Sequence, residues 1–186
     1  MKNVLVIGST GQIGSELTMK LRREIPGSTV VAGYIPGAEP KGELLESGPA
    51  EIADVRDAAA LAAIVSKYQI DTVYNLAALL SAVAERKPLL AWDIQMNGLL
   101  NILEVAREKD VAVFTPSSIG SFGPETPHVG TPQDTIQRPR SMYGVTKVAT
   151  ELLRITEHSY RLLKIHLVSM HMPLEQASAE RILYFM

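Results

Sequence analysis

A chain of 186 residues with 46% hydrophobic content can bury the core of one domain, and a formal net charge of −2 leaves no basic face for nucleic acid. The absence of cysteine excludes a disulfide framework and a thiolate metal site, and the apolar run after Met1-Lys2-Asn3 is too short for a signal peptide or a membrane span. These features describe a soluble, cytoplasmic protein that engages neither nucleic acid nor membrane.

Val4-Leu5-Val6-Ile7 is a continuous, mostly β-branched run, the pattern of a strand buried on both faces of a parallel sheet. It enters Gly8-Ser9-Thr10-Gly11-Gln12-Ile13-Gly14, after which Leu17 and Leu21 mark the apolar face of a helix closed near Pro26-Gly27. Strand, glycine turn and helix follow in the order of a dinucleotide-binding turn. Glycines permit the bend and the approach of a pyrophosphate, and the helix N-terminus faces its charge. The spacing is GxxGxxG, and its position directly after a buried strand favours a cofactor site over a bland turn.

Thr29-Val30-Val31-Ala32 reads as the second strand. Its end carries Gly33-Tyr34-Ile35 where an acid would hold the adenosine ribose, with no Arg to favour a 2′-phosphate, so NAD is preferred to NADP. The loop over 36–49 is long enough to be mobile. Ile52-Ala53-Asp54-Val55 reads as a short strand whose Asp54 either accepts from an adenine amino group or caps the helix over 58–66. Asp71 to Leu76 forms the next strand and delivers Ala77-Ala78-Leu79-Leu80-Ser81 to the edge where ligands of open α/β sheets bind. Ser81 is there as a substrate contact or an ordinary loop serine.

A helix over 89–107 carries Trp92, Met96, Leu100 and Leu103 as its core face, with Asn97-Gly98 weakening its middle. A polar side chain there either bridges a kink or lies exposed. Val111-Ala112-Val113-Phe114 is the fifth strand, Pro116-Ser117-Ser118 follow at the same edge, and 119–140 is a Pro/Gly-rich loop at the substrate mouth. The run over 165–170 suits a sixth strand. His166 and His171 share no ligand geometry with a carboxylate, so no metal is expected.

Ser141-Met142 opens a helix bearing Tyr143 and Lys147, with Val148, Leu152 and Leu153 for its buried face. Residues four apart on a helix share a face. Bringing a phenol from a pKa of about 10 to near neutrality takes about 4 kcal/mol, which an ammonium at about 4 Å supplies in an effective dielectric of roughly 20. The pair is therefore a candidate general base.

The segments GSTGQIG, AALLS, PSSIGSFGP and YGVTK together resemble the extended short-chain dehydrogenase/reductase family. LAALLSA, LAWDIQMNGLLNILE, FTPSSIGSFGPETP and IQRPRSMYGVTK are similar to the NAD-dependent L-threonine 3-dehydrogenases of that fold. The resemblance spans residues 1–153 and implies a Rossmann-type, doubly wound parallel sheet with helices on both faces. It implies that Ser118 hydrogen-bonds the reacting hydroxyl, that Tyr143 is the base, and that Lys147 tunes it and holds the nicotinamide ribose. Gly8, Gly11, Gln12, Ile13 and Gly14 match the cofactor loop, Tyr34 the ribose position, Asp54 and Val55 the adenine contacts, and Leu76, Ala77 and Ala78 the wall under the nicotinamide ribose. Ser81 matches a substrate contact.

The activity implied is oxidation of L-threonine to 2-amino-3-oxobutyrate, by a homodimer joined through the helices over 89–107 and 143–153. A sugar-nucleotide epimerase or reductase of the same superfamily, and a non-catalytic nucleotide-binding module, are the alternatives. Beyond Arg154 the resemblance fades where relatives continue for well over a hundred residues. The expectation is a cofactor domain over 1–173 and a divergent tail over 174–186, with the C-terminal substrate lobe missing.

Overall fold

The computed structural model describes residues 2–127, 129–132 and 134–153, together with the backbone of 165–168. Six parallel strands, β1 (Asn3–Ile7), β2 (Thr29–Tyr34), β3 (Ala50–Ile52), β4 (Thr72–Asn75), β5 (Ala112–Pro116) and β6 (Ile165–Val168), form one sheet in the order β3-β2-β1-β4-β5-β6. The helices are α1 (Gln12–Glu24), α2 (Glu43–Glu46), α3 (Ala58–Lys67), α4 (Ser81–Arg86), α5 (Pro88–Trp92), α6 (Gly98–Lys109) and α7 (Met142–Leu153). This is the Rossmann-type arrangement expected from the sequence.

Alternation along the strands divides the core. Leu5, Ile7, Val31, Val73 and Val113 pack with Leu61 and Ile64 of α3 and Leu99, Ile102 and Leu103 of α6. Val4, Val6, Val30 and Tyr74 pack on the other face with Leu17 and Leu21 of α1. Neither face is solvent-exposed, which is why β1 reads as an unbroken apolar run. Strand order reverses between β1 and β4, so a crevice opens at their C-terminal ends.

Four expectations are corrected by packing. β3 lies earlier than predicted, at Ala50–Ile52, and Asp54 falls in the turn beyond it. Asp57, not Asp54, caps α3, its Oδ1 accepting from Ala60 N at 2.9 Å. The loop over 36–49 is pinned rather than loose: the Arg22 guanidinium donates to the carbonyls of Val30, Leu44 and Pro49 at 2.6–3.1 Å and to Ser47 Oγ at 2.9 Å. The helix over 89–107 is broken into α5, a π-helical turn over Asp93–Asn97, and α6.

That π turn lets Gln95 and Met96 both face inward, while Trp92, expected in the core, is 43% exposed. Gly98 follows because α6 presses on Val55, whose Cγ2 would lie 2.4 Å from an added Cβ. The buried face of α7 likewise differs. Its buried residues are Gly144, Thr146, Lys147 and Thr150; of the expected ones Leu153 packs half-buried against the core, Val148 is half-buried and Leu152 is 57% exposed. The predicted sixth strand is present over Ile165–Val168, whereas the domain boundary at 173/174, His171 and the tail lie outside the described residues.

Candidate active site

The crevice begins where β1 ends. Gly8 has φ +80, in the left-handed region, and an added Cβ would stand 3.1 Å from the Leu76 carbonyl carbon at the end of β4. Gly14 faces back on the same turn, where a Cβ would meet Gly8 O at 2.1 Å. Gly11 precedes α1 without any side-chain cap, leaving the first-turn N–H groups of α1 available to an anion. Gln12 and Ile13 are exposed on this turn, and Ser9 Oγ anchors it by donating to Gly33 O at 2.9 Å.

From the turn runs an open groove of ≈ 250 Å³, lined by Gly8, Gly11, Tyr34, Asp54, Val55, Leu76, Ala77 and Ala78 among others. Eight of the thirteen predicted cofactor residues thus line one groove, whereas Gln12, Ile13 and Gly14 lie on the turn beside it and Tyr143 and Lys147 are not among its lining residues. Uncapped helix N-terminus, glycine turn and open groove together fit a dinucleotide. Val55 is fixed by Asn101 Nδ2, which donates to its carbonyl at 3.0 Å, and Asn75 Oδ1 accepts from Ala77 N at 3.2 Å. Asp54 is held by Arg56, whose Nη2 donates at 2.6 Å and keeps the carboxylate below its usual range, with partial burial opposing.

Ser118, Tyr143 and Lys147 converge beside the end of β5. Ser118 Oγ accepts from Gly120 N at 3.1 Å and opens a 3-10 turn over Ile119–Ser121. A Cβ on Gly120 would meet the Tyr143 ring at 3.1 Å and Ser118 Oγ at 3.5 Å, so hydroxyl and phenol ring flank the same glycine. Gly144 permits that approach, because its own Cβ would lie 2.1 Å from Gly120 O. Lys147 Nζ stands 5.6 Å from the Tyr143 ring centroid and donates to Pro116 O at 2.7 Å. Burial pulls the Lys147 ammonium down from its ordinary value to about 8, and the charge of Glu151 opposes that fall. Ser81 is exposed as the first residue of α4, outside the contacts that join these three.

Two hydrogen-bonding residues, buried Gln95 and half-buried Glu151, escaped the sequence reading. Gln95 Oε1 accepts from Leu79 N at 3.1 Å, and its Nε2 donates to Thr146 Oγ1, joining the groove wall to α7. Glu151 accepts from Ser117 Oγ and, at 2.9 Å, from Gln137 Nε2. Gln95 turns inward through the π turn, which apolar periodicity does not signal, whereas Glu151 had one available clue, its place four residues after Lys147. Among the described residues no three His, Asp or Glu stand together as metal ligands, and no helix is long and apolar enough to cross a membrane.

The model of the NAD dependent epimerase/dehydratase family matches residues 4–168. An uncharacterized epimerase/dehydratase of Staphylococcus saprophyticus is 54% identical over 153 residues, covering 82% of this chain and 48% of its own length. A counterpart in Staphylococcus aureus strain USA300 is 49% identical over 154 residues, covering 82% and 47%. Among solved structures, the L-threonine dehydrogenase of Clostridium difficile superposes with a TM-score of 0.82 at 50% identity, over 90% of this chain and 52% of that one. A UDP-glucose 4-epimerase of Thermotoga maritima gives 0.77 at 29% identity, over 89% and 54%. The chain therefore spans about half the length of the curated relatives it matches. With its strand order, its glycine turn and its tyrosine–lysine helix in place, it belongs to the NAD-dependent epimerase/dehydratase family.

Proposed function

We propose that this site serves oxidation of the C3 hydroxyl of L-threonine to 2-amino-3-oxobutyrate, with NAD as the dinucleotide. The observation that carries the proposal is the convergence of Ser118 with Tyr143 and Lys147, the latter two on a helix that Gln95 ties to Leu79 in the groove wall, in a chain 50% identical to an L-threonine dehydrogenase over their superposed part. Ser118 Oγ holds the reacting hydroxyl and Tyr143 accepts its proton. Lys147 stands behind the phenol and holds the nicotinamide ribose, and Ser81 contacts the amino-acid portion. A bound nicotinamide supplies the hydride acceptor. The first turn of α1 binds the pyrophosphate, Tyr34 borders the adenosine ribose, Asp54 and Val55 border the adenine, and Leu76 to Ala78 form the wall at the nicotinamide ribose.

The likeness to a UDP-glucose 4-epimerase at 29% identity supports a second reading, turnover of a sugar nucleotide. Incubating the chain with NAD and either L-threonine or UDP-glucose separates the two. Threonine-dependent NADH and 2-amino-3-oxobutyrate are expected; conversion of UDP-glucose to its C4 epimer would overturn the threonine assignment. Dinucleotide binding without either turnover would favour a non-catalytic module. We also propose a homodimer through α5 and α7, which pack together and leave Leu89, Trp92, Val145 and Leu152 exposed.

A further inference from the structure

Lys147 is 8% exposed, and among the described residues its ammonium has one hydrogen bond, to a neutral carbonyl, Pro116 O at 2.7 Å. An ammonium in such a place needs a countercharge to stay protonated. Among the described residues, the elements packed against α7 supply none close by. The 3-10 turn, α5 and β5 carry no titratable side chain. In α4, Glu85 accepts from Met142 N at the opposite end of α7, and its neighbour Arg86 is exposed. In the π turn, Asp93 accepts from Asn97 Nδ2 at 2.9 Å. On α7 itself there remain Tyr143 and Glu151, and the Glu151 carboxylate lies one turn beyond Lys147.

The placement of Glu151 is fixed on two sides. One oxygen accepts from Ser117 Oγ, the residue between Pro116 and Ser118. The other accepts at 2.9 Å from Gln137 Nε2, which also donates to Ser121 Oγ at 3.3 Å. The carboxylate thus joins the end of β5, the far side of the 119–140 loop and the helix that carries Tyr143.

We propose that Glu151 is a positioning residue of this centre, the countercharge of the buried Lys147 ammonium and the clamp that holds Ser117, and through it Ser118, against α7. The proposal rests on reading Tyr143 and Lys147 as the reactive pair. Lysine-labelled NMR of the whole chain tests it, with the Lys147 resonance assigned as the one missing from K147R. In E151Q, and in E151M as a second uncharged variant should the first not fold, the Lys147 titration midpoint is expected to fall by at least about one pH unit, tenfold in the ammonium-to-amine ratio. E151D, which keeps the charge, should stay within about 0.3 unit of the unsubstituted chain.

An unchanged midpoint in a folded uncharged variant would overturn the proposal. So would an equal fall in E151D, because packing rather than charge would then be responsible. A shifted midpoint in a chain that forms no NADH from threonine would instead sink the functional reading and leave the role of Glu151 standing.

Discussion

Lys147 keeps its charge in a setting that works against it. Its folded value is about 8 against an ordinary 10.5, so between those pH values the unfolded chain holds a proton that the folded chain has released. Stability should therefore rise with pH across that window and be flat below it, where both states are protonated. At neutral pH the buried charge costs on the order of 3 kcal/mol at most. Lys147→Met is accordingly expected to raise the unfolding free energy at pH 7 by about 1–2 kcal/mol, the orphaned Pro116 carbonyl offsetting part of the gain, while NADH formation collapses. Urea unfolding of the two chains beside their assays checks both signs. Tyr34 lines the groove, and in the proposed function it takes the place at which an acid would repel a 2′-phosphate. Tyr34→Asp should raise the NAD-over-NADP binding ratio at least about tenfold, read by calorimetric titration.

At the scale of elements, the site depends on two close approaches. α7 can press on the 3-10 turn only because residue 144 has no Cβ, and a methyl there would meet backbone at Gly120 O and the Pro139 ring. Gly144→Ala is expected to lose about 2 kcal/mol of stability in urea and most activity, since relief requires moving either Tyr143 or Ser118. Arg22→Ala should lose about 1–2 kcal/mol by removing the guanidinium's hydrogen bonds to the part-buried carbonyls of Val30, Leu44 and Pro49, and limited proteolysis should then cut within the 36–49 loop first. Glycine turn, apolar strands and the Tyr143–Lys147 spacing were legible in the sequence because each is a local pattern. The Arg22 clamp, the Asp57 cap and the π turn were not. A partner 8 to 27 residues away, a second aspartate three positions on, and one added residue in a helix leave no periodic trace. Trp92 looked like a core residue because its side chain is apolar and the π turn beside it leaves no trace in the sequence, and Leu152 because it is apolar, although α7 buries the face of Gly144, Thr146, Lys147 and Thr150 instead.

Across the whole molecule, strand order brings residues from five separate stretches to one edge, so a groove predicted piecemeal is found assembled. Sequence resemblance pointed to Ser118, but its nearness to Tyr143 became visible only through Gly120, a contact made by tertiary packing. Exposed Leu89, at 86%, and Trp92 belong to the same scale. If α5 and α7 join two copies, Leu89→Glu should shift sedimentation from dimer to monomer without unfolding the chain. The central claim is that Tyr143 is the base of a threonine-oxidising centre. It is tested most directly by measuring threonine-dependent NADH formation with the unsubstituted chain and with Tyr143→Phe, after showing that both bind NAD equally. The account predicts a loss of at least about 100-fold in the variant; equal rates in the two chains, or equal NAD binding with no threonine oxidation by either, would contradict it.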